Sequence, residues 1–174
     1  GDTKYTDNRG TVELRAAAAD YLTKFDLHYD KQDEILITMG ASEGIDLALR
    51  TLVNPGEEVL VAEPSYVAYI PCIELCGRVP VSLKLRAENK FRLTREQLEE
   101  KITEKSKVLL ISYPNNPTGA IMEKEDLEAI AEVVKEHDLF VITDEIYAEL
   151  TYGKKHVSIA SLPGMYERCV VLNG

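Results

Sequence analysis

Two kinds of hydrophobic pattern alternate along the chain. Short, continuous apolar runs rich in β-branched residues are typical of buried strands, and apolar residues three or four positions apart are typical of helices. The runs that predict strands cover residues 35–39, 59–62, 79–85, 108–112, 139–143 and 169–172. Helical spacing covers residues 14–25, 42–53, 66–76, 94–102 and 123–137.

This alternation predicts a three-layer α/β/α fold, in which helices cover both faces of a mainly parallel sheet. A length of 174 residues with 45% hydrophobic residues suits one domain of ordinary size. Thr94 and Gln97 have the spacing of a capping box, and Gly77 is expected to end the helix predicted at residues 66–76. Parallel sheets bind ligands beyond the carboxyl ends of their strands, so the residues that follow each strand are the candidates for chemistry.

Composition narrows the classes of function. A formal net charge of −10 argues against a nucleic-acid-binding protein, which would have a basic face. No apolar stretch is long enough to cross a membrane and no signal peptide is visible, so a cytoplasmic location is expected. Neither the cysteines nor the histidines have disulfide or metal-ligand spacing, so no metal is expected; they are Cys72, Cys76, Cys169, His28, His137 and His156. Lys154–His156 is expected to be a solvated loop.

Two of the predicted strands are followed by residues suited to a planar phosphorylated ligand. Gly40, Ala41, Ser42 and Glu43 lead directly into a helix, where small residues and first-turn N–H groups favour a phosphate. The alternative for Ser42 is an N-capping serine after a tight turn. Tyr66 follows the strand at 59–62 and can lie over a planar ring, or it can simply pack in the core or on the surface.

Two further strand ends carry polar groups. Asn115 and Asn116 stand between prolines and before Gly119, and such rigid framing suggests that an amide hydrogen bond matters, although an ordinary strand-to-helix connection is the alternative. Asp144 ends an apolar strand, and its carboxylate needs a cationic partner, either a metal ion or a protonated ring nitrogen. Tyr147 can reach the same crevice. The alternative for Asp144 and Glu145 is an acid pair at a helix N-terminus.

A phosphate seat, a stacking ring, a fixed amide and a buried acid together suit a flat, phosphorylated, nitrogen-containing cofactor. Asn116-Pro117-Thr118-Gly119 followed by Asp144-Glu145-Ile146-Tyr147 resembles the fold-type I, class I/II aminotransferases, which use pyridoxal 5'-phosphate. Tyr5, Gly10 and Leu14-Arg15, ahead of Gly40–Glu43, match as well. The resemblance covers essentially the whole chain. It is closest to the bacterial branch with aspartate-like and N-acetyl-diaminopimelate-like aminotransferases.

The resemblance implies a role for each candidate. Gly40, Ala41, Ser42 and Glu43 would hold the cofactor phosphate, and Tyr66 would stack on the pyridine ring. Asn116 and Tyr147 would donate to the ring hydroxyl oxygen, while Asp144 would pair with the pyridinium nitrogen. Tyr5 would reach the phosphate of a neighbouring subunit, which implies a homodimer.

The implied reaction is transfer of an amino group between an amino acid and a 2-oxo acid. In the family, the lysine that binds the cofactor comes shortly after an Asn-Gly like Asn173-Gly174, and a small domain supplies an arginine for the substrate carboxylate. Residues 1–174 are therefore predicted to be a partial large domain, inactive by itself, within an active enzyme. The alternatives are a carbon–sulfur lyase and a non-catalytic sensor domain of a transcription regulator. A metal-dependent enzyme would explain neither Asn116 nor the phosphate seat.

Overall fold

The fold is taken from a computed structural model that describes residues 3–174. Gly1 and Asp2, with which the predicted domain begins, lie outside the described residues. Five strands form one sheet in the order β2-β1-β3-β4-β5, and every neighbouring pair is parallel. The strands are β1 (Glu58–Glu63), β2 (Val79–Lys84), β3 (Ser106–Ser112), β4 (Phe140–Asp144) and β5 (Cys169–Leu172).

Five α-helices accompany the sheet within the described residues. They are α1 (Val12–Leu22), α2 (Gly40–Leu52), α3 (Tyr69–Leu75), α4 (Arg95–Glu99) and α5 (Lys124–Glu136). Short 3₁₀ turns occur at Thr23–Phe25, Ala87–Asn89, Ile159–Ser161 and Tyr166–Arg168. The predicted capping box of Thr94 and Gln97 is confirmed at the start of α4. Gly77 follows α3 with φ at +76°, the left-handed conformation expected of a residue that ends a helix.

The central strands β1, β3 and β4 bury both of their faces, which confirms the three-layer α/β/α prediction. Alternate side chains of β1, β3 and β4 pack against α2 and α3 on one face; this cluster includes Ile45, Leu49, Ile73, Val61, Leu110 and Ile142. The intervening side chains pack against α4 and α5 on the other face; this cluster includes Leu98, Ile130, Leu60, Leu109, Ile111 and Val141. Each fully buried aliphatic side chain stabilises the fold by about 1.5–3 kcal/mol.

One predicted strand is wrong. Residues 35–39 form no strand, and Leu36 and Met39 are exposed. A strand needs a ladder of backbone hydrogen bonds to a neighbouring strand, and none of the sheet pairings among the described residues includes this segment. The Ile37 N–H instead donates to the Arg9 carbonyl, at 3.0 Å. A groove of about 340 Å³ lies between it, α2 and β5 instead. The helix predicted at 66–76 is also shorter, because Tyr66 lies in a turn before α3.

The connections of β1 define a switch point in the sheet. From β1 the chain passes through α3 to β2 on one side, and then through α4, on the opposite face, to β3 on the other side. A crevice forms at such a point, beyond the carboxyl ends of the strands. Since α2 leads into β1, it runs against the strand direction and its first turn lies at this same edge. A Cβ on Gly44 would lie 2.7 Å from the Leu172 side chain, at the end of β5.

Candidate functional site

The first turn of α2 offers backbone N–H groups at the carboxyl edge of the sheet. The helix begins at Gly40, and its N-cap is Met39, so the alternative of Ser42 as an N-cap is wrong. The carboxylate of Glu43 accepts the N–H of Met39. The N–H groups of a first helical turn have no acceptor within the helix. Those around Ala41 and Ser42 can therefore hold an anion such as a phosphate.

The two asparagines of the loop after β3, Asn115 and Asn116, have different hydrogen-bonding environments. Asn115 is buried and its amide donates to the Pro64 carbonyl at 3.1 Å, which joins the loops after β3 and β1 across the switch point. Its oxygen accepts from the Thr118 hydroxyl at 2.7 Å and from the Thr118 N–H at 3.2 Å. Asn116 is half-buried, and its amide makes no hydrogen bond to any residue among 3–174. Asn115 thus fixes the loop and leaves the Asn116 amide free for a ligand.

Asp144 is the last residue of β4 and is only 5% exposed. Its Oδ2 accepts from the Tyr69 hydroxyl at 2.6 Å, and its Oδ1 accepts from the Ile146 N–H at 3.2 Å. No lysine, arginine or histidine within the described range forms an ion pair with it. The residues after it form turns, so the alternative of an acid pair at a helix N-terminus is wrong. Asp144 is therefore a buried carboxylate with two donors and no cation.

Tyr69 is a site residue that the sequence reasoning missed. Burial, followed by the negative charge of Asp144, raises the pKa of Tyr69, so its hydroxyl stays protonated and donates. Tyr66 meets its ring edge-on, with centroids 5.7 Å apart, and is 40% exposed. Tyr147 lies in the turn after β4, three residues beyond Asp144. No local signal in the sequence marks Tyr69, because its partner Asp144 lies 75 residues away.

Among the N-terminal residues, Gly10 and Arg15 pack against the rest of the domain, whereas the ring of Tyr5 is exposed. Arg15 is buried and donates to the carbonyls of Lys31 and Gln32 at 2.7 and 2.8 Å. Gly10 has φ at +96°, and a Cβ there would lie 2.5 Å from Ile37 Cγ1. Tyr5, in contrast, is fully exposed. The structure thus holds Gly10 and Arg15 against the domain and leaves the Tyr5 ring in solvent.

The prediction that residues 154–156 are solvated is wrong for His156. Its ring is buried, and its Nε2 lies 2.8 Å from Glu145 Oε2. Glu145 is itself 1% exposed, so sequence reasoning also missed a buried polar pair directly beside Asp144. Across residues 3–174, no group of three or more His, Cys, Asp or Glu is arranged to hold a metal ion. None of the helices in that range is long and apolar enough to cross a membrane.

The fold and the cleft define a parallel α/β protein whose candidate ligand-binding groups lie at the carboxyl edge of the sheet. The chain belongs to the class I and II aminotransferases, since the sequence model of that family matches residues 1–174. The predicted family resemblance is confirmed. The putative aminotransferase YugH of Bacillus subtilis (strain 168) is 48% identical over 175 residues, which are 100% of this chain and 45% of that protein.

Solved structures agree with this assignment. An aromatic aminotransferase from Pyrococcus horikoshii OT3 matches with a TM-score of 0.96 and 42% identity, over 99% of this chain and 46% of that one. The N-succinyldiaminopimelate aminotransferase from Mycobacterium tuberculosis matches with a TM-score of 0.94 and 36% identity, over 99% of this chain and 46% of that one. The chain therefore spans somewhat under half the length of the relatives it matches.

Proposed function

We propose that residues 1–174 are part of the cofactor-binding large domain of an enzyme that transfers an amino group between an amino acid and a 2-oxo acid. The cofactor of this enzyme is pyridoxal 5'-phosphate. The relatives named above are aminotransferases, which supports amino-group transfer. The observation that carries the cofactor assignment is Asp144, a buried carboxylate without a cation, at the sheet edge that also receives the first turn of α2.

The donor and acceptor groups of the cleft fit this cofactor. The first turn of α2 (Gly40, Ala41, Ser42 and Glu43) suits its phosphate, because the N–H groups and the helix dipole favour an anion. Asp144 suits a protonated ring nitrogen, because a buried carboxylate needs a positive partner. The free amide of Asn116 and the phenol of Tyr147 suit the ring oxygen, and the exposed ring of Tyr66 suits the planar face.

The chemistry that pyridoxal phosphate supplies when bound is an electron sink for the pair left behind when the amino acid loses its α-proton. Asp144 would hold the proton on the ring nitrogen, and Tyr69 would keep the carboxylate pointed at it. Asn116 and Tyr147 would donate to the ring oxygen and so fix the plane of the ring relative to the bond that breaks. The first turn of α2 would hold the phosphate end in place.

The remaining parts of the site would come from other segments. The lysine that joins the cofactor and the arginine that binds the substrate carboxylate would come from the rest of a full-length polypeptide. Tyr5 would act across a homodimer. Residues 1–174 alone are then expected to have no aminotransferase activity.

The test uses the purified full-length protein. The wild type is expected to bind pyridoxal phosphate with a visible absorption band and to transfer amino groups from an amino acid to a 2-oxo acid. Asp144→Ala is expected to slow this transfer by at least about a hundredfold, the scale of losing one charge-stabilising group. Asp46→Ala, which removes a carboxylate paired with Arg50 on α2, is the control and keeps the activity. A colourless wild type that binds no cofactor would overturn the proposal.

A further inference from the structure

The Glu145 carboxylate is buried on the sheet face opposite to Asp144, and both of its oxygens have hydrogen-bond partners. Its Oε1 accepts from the Ser158 hydroxyl at 2.7 Å and from the Thr143 hydroxyl at 3.0 Å. Its Oε2 meets Nε2 of His156 at 2.8 Å. All three partners are buried, and Phe25 packs edge-on against the His156 ring, with centroids 5.4 Å apart. A buried carboxylate is kept only where its hydrogen bonds are made, so this group is held in one geometry.

These contacts close a loop whose first residues belong to the cleft. Glu145 begins the connection between β4 and β5, and its side-chain partners Ser158 and His156 lie near the middle of that connection. The Glu145 backbone is held as well. Its N–H donates to the Leu172 carbonyl at 2.8 Å, and its carbonyl accepts from Ala148 at 2.9 Å, across the turn that carries Tyr147.

Asp144 and Tyr147 therefore lie on either side of Glu145, whose side chain and backbone are both held by hydrogen bonds. Asp144 precedes Glu145, and its Oδ1 accepts from the Ile146 N–H. Any rotation of the peptide groups around Glu145 would move this donor and the Tyr147 turn together. The conformation of both proposed cofactor-binding side chains thus depends on whether the Glu145 carboxylate keeps its partners.

We infer that Glu145, with His156 and Ser158, is a positioning residue that holds Asp144 and Tyr147 in the geometry that receives the cofactor, an inference that rests on the proposed function. It touches neither cofactor nor substrate. Its effect passes through the backbone between β4 and the following turn.

The test compares two Glu-to-Gln substitutions in the full-length protein. Glu145→Gln removes the charge of the carboxylate and so weakens its hydrogen bonds with Ser158 and His156 beside the cleft. Glu58→Gln is the matched control, because the Glu58 carboxylate also accepts two hydroxyls, from Thr103 at 2.6 Å and Ser106 at 3.0 Å, but lies at the amino end of β1. The readouts are the Kd of pyridoxal phosphate, the visible circular dichroism of the bound cofactor, and backbone hydrogen exchange of residues 145–150 in the cofactor-free protein.

Glu145→Gln is expected to raise the Kd about tenfold, to reduce the visible circular dichroism, and to speed exchange at residues 145–150. Glu58→Gln is expected to leave all three unchanged. His156→Gln, whose amide can replace the Nε2 donor, should keep more affinity than His156→Leu.

The outcomes separate the two ideas. If the wild type binds the cofactor and Glu145→Gln behaves as Glu58→Gln does, the positioning role is wrong and the proposed function stands. If the wild type binds no cofactor, the proposed function fails and the inference built on it fails with it. If Glu145→Gln does not fold, His156→Leu against His156→Gln decides, and equal affinities would overturn the inference.

Discussion

The Tyr69 hydroxyl lies 2.6 Å from Oδ2 of Asp144 and donates to it from a position 75 residues away in the sequence. The hydroxyl stays protonated and can donate, because burial and the neighbouring carboxylate raise the pKa of the phenol. Oδ1 has the longer backbone contact, 3.2 Å from the Ile146 N–H. The bond to Tyr69 therefore fixes how the carboxylate faces the cleft.

The first prediction is that Tyr69→Phe damages the site more than the fold. The ring remains to pack against Tyr66, but Asp144 loses a hydrogen bond of a kind that contributes about 1.5–3 kcal/mol when one partner is charged. In the full-length protein, amino transfer is expected to fall by about ten- to a hundredfold. Steady-state rates measure this loss, and a thermal melt measures the fold.

Tyr113→Phe is the matched control for this prediction. Tyr113 is also buried and its hydroxyl donates to a carbonyl, that of Phe91, at 3.0 Å, but it faces the other side of the sheet. It should lower the melting temperature without slowing amino transfer. Equal rates for Tyr69→Phe and Tyr113→Phe would contradict a role for Tyr69 in the cleft.

The second prediction separates the two adjacent asparagines. Asn115→Ala removes the link to Pro64 and leaves buried donors and acceptors unpaired, which costs about 1–3 kcal/mol of folding free energy for each such group. Asn116→Ala removes an amide that has no partner among residues 3–174 and should leave the melting temperature unchanged. It should instead weaken cofactor binding, measured as the Kd of pyridoxal phosphate. A lower melting temperature for Asn116→Ala, with an unchanged Kd, would contradict this division of roles.

Hydrophobic pattern was sufficient to predict the strands that became β1 to β5. Helices bury both faces of β1, β3 and β4, and the edge strands β2 and β5 are partly buried. The pattern failed at 35–39, where an equally apolar run has no strand beside it among the described residues. Apolar character shows that a segment is suited to a strand. Whether it becomes one depends on a neighbour from a distant part of the chain, which local pattern does not contain.

The candidate site shows the same limit. Asp144 could be singled out because a carboxylate at the end of an apolar strand is unusual in local sequence. Tyr69 and His156 could not, because their importance lies in contacts with Asp144 and Glu145 that form only when the strands and loops assemble. A tyrosine in a helix and a histidine after two lysines look ordinary until those partners are known.

The third prediction concerns Gly10, which precedes α1. Gly10→Ala combines a strained φ of +96° with a Cβ 2.5 Å from Ile37 Cγ1, so it should destabilise the protein. Gly56→Ala is the control, because Gly56 has a similar φ of +84° and nothing within 4 Å of its Cβ position. The steric clash should cost about 1–3 kcal/mol of folding free energy beyond the cost in Gly56→Ala, which would appear as a lower melting temperature. Equal melting temperatures would show that Ile37 moves aside freely.

The fourth prediction concerns the thiol of Cys169, at the start of β5. Burial, followed by the negative charge of Glu145, raises the pKa of this thiol from 9.0 to about 12. Because only the thiolate reacts, alkylation by iodoacetamide at pH 8 should be about a thousandfold slower in the folded protein than in urea. Mass spectrometry of the modified peptide measures the rate, and equal rates in the two states would refute the shift.

The same raised pKa makes stability depend on pH in a defined direction. The folded state holds the Cys169 proton more tightly than the unfolded chain does, so this contribution is fully present below pH 9 and is lost as the pH rises from 9.0 to about 12. Cys169→Ala should therefore have a melting temperature that falls less steeply over that interval than the melting temperature of the wild type. Glu145→Gln should speed the alkylation of Cys169, because it removes the negative charge that disfavours the thiolate. Parallel melting curves for Cys169→Ala and the wild type across this interval would contradict the linkage.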